Sequence, residues 1–315
     1  MLHTKVSFDS ITINTSHVNH SVPGATAYIV ETSNGTVAYS GDLRFHGYGG
    51  HMTEKFIEDA QGVDTLMIEG TRIDGNDTLY EEDLCGMLSN EIAEAEGIVL
   101  ANWPVRDTDR LISFFNAAKE NGRILVLNTK QANLLEKLSE VNNDVPKITD
   151  KNIRIFLTRK SWGLIDRKGL PDDKLKEGDY DAWERVYLDH PNMIDYNELR
   201  DHHSEYVVRT DFFDMSELVD IRPNEKTRYI RSTCEPFDDK MEFNEAIIDA
   251  WLDHFRIKRT KPIHCSGHAP GPDIKRIIEE IKPKKIIPIH TEHAKDFNWF
   301  HGNVKIPETW KRMGV

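Results

Sequence analysis

The 315-residue sequence has no apolar run near the ~20 residues that a membrane-spanning helix needs. Its first ten residues, MLHTKVSFDS, lack the basic and apolar segments of a secretory leader. Only three cysteines occur, Cys85, Cys234 and Cys265, far apart and without CxxC spacing. That argues against a disulfide framework and for a reducing interior, so a cytoplasmic location is expected. Positive charge is also in deficit: 40 Lys and Arg stand against 53 Asp and Glu, a net charge of −13. A general nucleic-acid coat protein is therefore disfavoured. Internal repeats and low-complexity tracts are absent.

What is present is uneven. Between Arg256 and Lys285 stand nine basic and three acidic residues, net +6. An acidic chain with such a segment can still bind a polyanion locally, although a solvated helix face explains the same charges. The first third reads as strands and turns. ATAYIVETS and GTVAYSGD form a hairpin pattern around SNG, and VDTLMIEGT is a short buried strand with Glu69 at its exit. Helices and strands then alternate: EEDLCGMLSNEIAEAEG, GIVLANW, DRLISFFNAAKENG, RILVLNT, QANLLEKLSEVN, IRIFLT. This alternation predicts a parallel α/β region. Residues 160 to 205, with Trp162 and Trp183, have no clear period. Further on, YVVRTDF and TRYIRSTCEP read as strands and FNEAIIDAWLDHF as a helix. KPIHCSGHA reads as a strand entering a loop, PDIKRIIEEIKP as a helix, and KKIIPIH as a strand ending at His290.

Polar groups recur at the ends of these β-runs: His20 in NHSVPG, Asp42 in SGD, Glu69 in IEGT, His268 in CSGHAPG and His290 in PIHTEH. A single histidine beside a turn is more often part of the packing than a ligand. An ordered series, each member closing a β-run of an α/β chain, is how metal ligands are brought to one cleft. The intervals His20 to Asp42 and His268 to His290 are both 22 residues. The HxxH spacings of HVNH (17–20) and HTEH (290–293) are not read as ligand pairs, because both segments look like loops.

In these segments the chain resembles the β-CASP branch of the metallo-β-lactamase superfamily, the branch of ribonuclease J-like RNA-processing nucleases. HSVPGATAYIVETSNGTVAYSGDLRFHG resembles that family's third-histidine and bridging-aspartate segments. DTLMIEGTR resembles its acidic β-CASP motif, and IHCSGHAPGPDIKRIIEEIKPKKIIPIHTEH its last two histidine motifs. One element of the family pattern is absent: among 14 histidines no HxH pair occurs, so there is no HxHxDH motif. The resemblance implies that those ligands lie before residue 1.

The implied fold is α/β: a metallo-β-lactamase αββα fold, N-terminally truncated, with an inserted β-CASP α/β domain. The implied boundaries are 1–78 plus 258–315 for the partial metallo-β-lactamase domain and 79–257 for the insert. The implied chemistry is metal-dependent hydrolysis of RNA phosphodiesters. His20, Asp42 and His290 would hold two divalent metals, zinc by donor type or manganese. His268 would contact the scissile phosphate and protonate the leaving oxygen, and Glu69 would orient His268. Ser266 and Gly267 would form a tight loop that lets backbone approach phosphate. Trp103, Arg106 and Lys130, after strands of the insert, are candidates for stacking on or pairing with RNA. His17, His46 and His293 are expected near the site at best. RNA, or single-stranded DNA, is the expected partner, and no membrane. With an incomplete site, weak metal binding and little turnover are expected of this chain alone. A truncated first sheet would expose core, so self-association, such as a homodimer, is expected as well. Two other readings stay open: a non-catalytic RNA-binding or regulatory relative, and a hydrolase of small esters, thioesters or lactams on the same fold.

Overall fold

Residues 5–39 form an antiparallel meander, because short alternating runs are separated by turns that Gly and Asn can make. In a computed structural model describing residues 4–76, 79–158 and 180–308, the strands are β1 (Lys5–Phe8), β2 (Ile11–His17), β3 (Thr26–Thr32) and β4 (Gly35–Tyr39). At the β3–β4 turn, the Thr32 hydroxyl donates to the Gly35 carbonyl (3.0 Å) and accepts from the Asn34 amide (3.1 Å). Helix α1 (Gly50–Asp59) follows, then strand β5 (Thr65–Glu69), parallel to β4.

Next come α2 (Glu81–Ala93), β6 (Val99–Asn102), α3 (Thr108–Glu120), β7 (Ile124–Asn128), α4 (Thr129–Val141) and β8 (Ile153–Phe156). Side chains mark the helix starts: Asp107 accepts from the Arg110 amide (3.1 Å), and Asn128 from the Gln131 amide (3.0 Å). The less periodic middle holds short elements, β9 (Met193–Ile194), α5 (Tyr196–Asp201), β10 (Tyr206–Arg209) and α6 (Leu218–Ile221). Trp162 lies outside the described residues. Then follow β11 (Arg228–Arg231), α7 (Asp239–His254) and the two-residue β12 (Lys258–Arg259). KPIHCSGHA is not a strand, contrary to its sequence pattern. Thr260 and Ile263 still donate to the Tyr229 and Arg231 carbonyls beside β11, but Pro262 between them has no N–H to continue the ladder.

The chain closes on α8 (Gly271–Ile281) and β13 (Lys285–Ile289), parallel to β5. Helix α8 buries Ile274, Ile277, Ile278 and Ile281, a stripe at 3.6-residue spacing.

Two compact units result: Met1–Glu82 with Cys265–Val315, and Asp83–His264. The first holds the sheet β1-β2-β3-β4-β5-β13, with a core of Ala27, Ile29, Ala38, Leu66, Ile68 and Ile286 against Phe56 and Ile57 of α1 and the α8 isoleucines. The second holds the all-parallel sheet β12-β11-β6-β10-β7-β8-β9. Strands β6 and β10 there are buried at every position, as expected where helices cover both faces.

Candidate metal and hydrolytic centre

Topology gathers the polar groups. Strands β4, β5 and β13 run parallel, so Asp42, Glu69 and His290 leave the sheet at one edge. The antiparallel β2–β3 connection returns to that edge and carries His20. His268 arrives in the loop before α8. Ligand-capable atoms of Asp42, Glu69, His268 and His290 all lie within 4.8 Å of one another. The His20 ring stands beside them, its centroid 4.9 Å from that of His268, but His20 is not part of the 4.8 Å group. All five belong to the first unit.

Glu69 is the anchor. It is fully buried, and its Oε1 accepts from the Leu43 amide (2.9 Å) and its Oε2 from the Thr71 amide (3.3 Å). Nδ1 of His268 sits 3.1 and 3.0 Å from the two carboxylate oxygens. With Nδ1–H committed to Glu69, the Nε2 lone pair or proton of His268 is what the ring offers to anything else. Burial works against charge on His268, but the Glu69 hydrogen bond and negative charge outweigh it and raise its pKa above the ordinary imidazole value.

His20 is set the other way. Its Nδ1–H donates to the Gly267 carbonyl at 2.6 Å, which fixes the tautomer and leaves Nε2 with the lone pair. Burial lowers its pKa, and the neighbouring His268 adds to that, against the pull of the Gly267 bond. A neutral imidazole with Nδ1–H on a carbonyl is the form in which histidine ligates metals. His290 is exposed, with Nδ1 3.0 Å from Asp42 Oδ1 and 3.2 Å from the Thr71 hydroxyl. It also has φ 47°, a left-handed conformation that a residue with a Cβ adopts only when its surroundings hold it there. Gly41, before Asp42, has φ 59°, and a Cβ there would lie 2.8 Å from the Thr26 carbonyl oxygen. The Ser266–Gly267 turn is as tight: a Cβ on Gly267 would meet the Ser21 hydroxyl at 2.5 Å, and the Ser266 hydroxyl accepts the His268 amide at 3.1 Å.

The donor set of His20, Asp42 and His290 fits a divalent metal of the zinc class in kind: one neutral nitrogen already oriented, one carboxylate and a second imidazole. Three donors are fewer than two metals require.

The model of the RMMBL family, the Zn-dependent metallo-hydrolase RNA specificity domain, matches residues 254–298, the stretch holding Ser266, Gly267, His268 and His290. Ribonuclease J 2 of Streptococcus pyogenes serotype M3 is 20% identical over 306 residues, covering 92% of this chain and 49% of that protein. Ribonuclease J of Pyrococcus abyssi is 21% identical over 295 residues, covering 90% and 60%. The RMMBL match over 45 residues and the two ribonuclease J relatives support assignment to the β-CASP branch of the metallo-β-lactamase superfamily. It spans about half the length of the first of these relatives and three fifths of the second. A crystal structure of a protein of unknown function from Enterococcus faecalis V583 has the same fold, with a TM-score of 0.72, 23% identity, and coverage of 97% of this chain and 64% of that one.

Other expectations fare differently. Trp103 is not an RNA-stacking platform. It is fully buried, with its ring stacked on Phe114 at 4.5 Å. Arg106 and Lys130 are exposed. No helix among the described residues is long and apolar enough to cross a membrane. His46, expected near the site at best, is part of a second cluster. It is buried with Glu81 and Cys265, the three offering ligand-type atoms within 4.8 Å, and Cys265 Sγ lies 3.2 Å from Glu81 Oε2. Sequence spacing could not join residues 46, 81 and 265; only the return of the chain at Cys265 does.

Proposed function

We propose that this chain carries the hydrolytic centre of a ribonuclease J-type, metal-dependent phosphodiester hydrolase, and that its first unit corresponds to a partial metallo-β-lactamase domain and its second to the inserted β-CASP domain. The Glu69–His268 pair carries this reading. A fully buried carboxylate, held by two backbone amides and turned with both oxygens toward one imidazole nitrogen, is an orienting device. RNA affinity alone has no use for it. In this reading Glu69 holds the His268 ring, and the outward Nε2 of His268 contacts the scissile phosphate and delivers a proton to the leaving oxygen. His20, Asp42 and His290 hold divalent metal, zinc or manganese. When bound, that metal supplies Lewis-acid stabilisation of the phosphoryl oxygens and a hydroxide at neutral pH. The Ser266–Gly267 turn fixes where the His268 ring stands and presents backbone to the substrate. RNA is the substrate class and single-stranded DNA the secondary one. A cytoplasmic site of action agrees with the cysteine pattern.

The few carried-over donors set the expected level of activity. Metal content after dialysis is expected well below two equivalents per chain. In excess zinc or manganese, slow, chelator-sensitive cleavage of single-stranded RNA is expected. His268→Ala is expected to lower that cleavage about 100-fold or more while RNA affinity changes little, the usual size of a general-acid contribution. No cleavage at any metal concentration, with RNA binding indifferent to His268→Ala, would replace this reading by a non-catalytic RNA-binding relative.

A further inference from the structure

Outside the His20–Asp42–His290 set, the first unit gathers a second group of ligand-type side chains that the hydrolytic reading does not use. His46, Glu81 and Cys265 are all buried, and one ligand-type atom of each lies within 4.8 Å of the others. Three separate segments supply them: the loop after Asp42, the first residue of α2, and the turn into Ser266. Hydrogen bonds tie these segments together. The Asn19 side-chain amide donates to the His46 carbonyl at 2.5 Å, and the Gly47 amide to Glu82 Oε1 at 2.8 Å. The Arg44 guanidinium donates to the Ser266 carbonyl at 3.3 Å. Cys265 is in no disulfide. The Glu81 backbone amide donates to His46 Nδ1 at 3.3 Å, so in the neutral ring Nδ1 carries the lone pair and Nε2 the proton. That same Nδ1 lies 3.9 Å from Cys265 Sγ, and Sγ lies 3.2 Å from Glu81 Oε2. Three electron-rich atoms converge, and the one proton among them is that of the thiol, a weak donor.

We propose that His46, Glu81 and Cys265 bind one zinc-class divalent ion, at a site separate from the His20–Asp42–His290 set. Zinc bonds of ~2.3 Å to sulfur and ~2.0 Å to nitrogen or oxygen, at tetrahedral angles, place neighbouring donors about 3.5 Å apart. The 3.2 and 3.9 Å separations stand on either side of that edge. A thiolate and an imidazole select a borderline-soft ion over calcium and magnesium, which take oxygen ligands. Binding is an exchange: the metal–sulfur bond forms as the thiol proton leaves to solvent, and the thiolate and carboxylate balance the charge of the ion. What is given up is the 3.3 Å bond from the Glu81 amide to Nδ1. Three protein donors leave a fourth position for water. A cavity of about 10 Å³, lined by His46, Arg72, Tyr80, Ser266 and His268 among others, is about the size of one water. Cys265 immediately precedes the Ser266–Gly267 turn, so an ion here pins the turn that places the His268 ring.

Titration of the full chain with cobalt(II), followed by absorption, tests this, because a thiolate–cobalt bond gives an intense charge-transfer band in the near ultraviolet. The His20–Asp42–His290 set has no sulfur donor, so that band reports on the second site alone. The expected result is a band saturating at about one equivalent, lost in Cys265→Ser and kept in Cys85→Ser and Cys234→Ser. His46→Gln is expected to weaken cobalt affinity about tenfold or more. Circular dichroism checks that each variant folds. X-ray absorption at the zinc edge of the zinc-saturated parent chain reads the site without any variant, with a sulfur neighbour at ~2.3 Å expected. No sulfur ligand at saturating cobalt and zinc overturns the proposal and leaves the trio as a hydrogen-bonded cluster. A band that survives in a folded Cys265→Ser variant overturns it in favour of another thiol. Neither readout depends on whether RNA is cut, so this site and the hydrolytic reading fail separately.

Discussion

The two sheets of this protein are built from similar residues and finished differently. In the second unit, β6 and β10 are buried at every position, and the strands are continuous apolar runs such as IVLAN and YVVR. In the first unit, β2, β3 and β4 alternate, with buried positions on one side only and Tyr28 and Tyr39 open on the other. A parallel sheet packed on both faces reads as continuous apolar runs, whereas a sheet packed on one face reads as alternation. Burial thus marks β6 and β10 of the second unit as covered on both faces and β2–β4 of the first as packed on one. The candidate site sits on the strand ends of the second kind of sheet.

The largest effect should come from truncating one aromatic in each unit. Trp103→Ala removes a fully buried ring from the second unit and is expected to cost about 3–5 kcal/mol. Tyr39→Ala, at a side chain 38% exposed, should stay within about 1 kcal/mol. Denaturant unfolding measures both, and equal losses would erase the contrast. Second in size is Glu69→Ala. It strands the Leu43 and Thr71 amides at the end of β5 and is expected to cost roughly 2–4 kcal/mol, with Glu69→Gln milder. A loss well under 1 kcal/mol would show that the carboxylate is not the anchor of the strand ends.

The smallest effects are in pH dependence, where the units should respond in opposite senses. Asp64, at the start of β5, is lowered to about 2 by its Lys284 partner and then by the Thr36 amide and hydroxyl. Its stabilisation is present above the unfolded value of 3.8 and is lost as pH falls through about 2, so Asp64→Asn should flatten that acid limb. Asp214, in the second unit, is raised by burial and by the adjacent Asp211. Its contribution is present below 3.8 and is lost as pH rises through the raised value, so Asp214→Asn should flatten a decline toward neutrality. Stability profiles of the two variants moving in the same direction would contradict these environments.

Most strands and long helices were legible because their periods are local. The IVLAN run, the α8 isoleucine stripe and the hairpin around SNG each declare themselves within a dozen residues. Strands β1 and β2 and helix α1 were not, since KVSF, ITINTSH and GHMTEKFIED have weak or mixed patterns and form through their neighbours: β1 pairs on β2, β2 on β3, and α1 packs on β2 and α8. KPIHCSGHA misled because its apolar residues flank Pro262, which interrupts the ladder. Trp103 misled for another reason: an aromatic just past a strand reads as a surface group until the packing of Phe114 is known.

By itself the sequence determined the order of the polar strand ends, His20, Asp42, Glu69, His268 and His290, because side-chain placement at the end of a β-run is a local property. It also determined the family resemblance those segments carry. Only the tertiary structure decided which of these groups touch. It brought His268 onto Glu69 across 199 residues and His290 onto Asp42 across 248, and it left His20 beside the cluster on the Gly267 carbonyl. It also turned His46 inward onto Cys265 and Glu81. Contacts at such separations depend on how strands order themselves in a sheet and on what covers each face, and no periodicity along the chain encodes either.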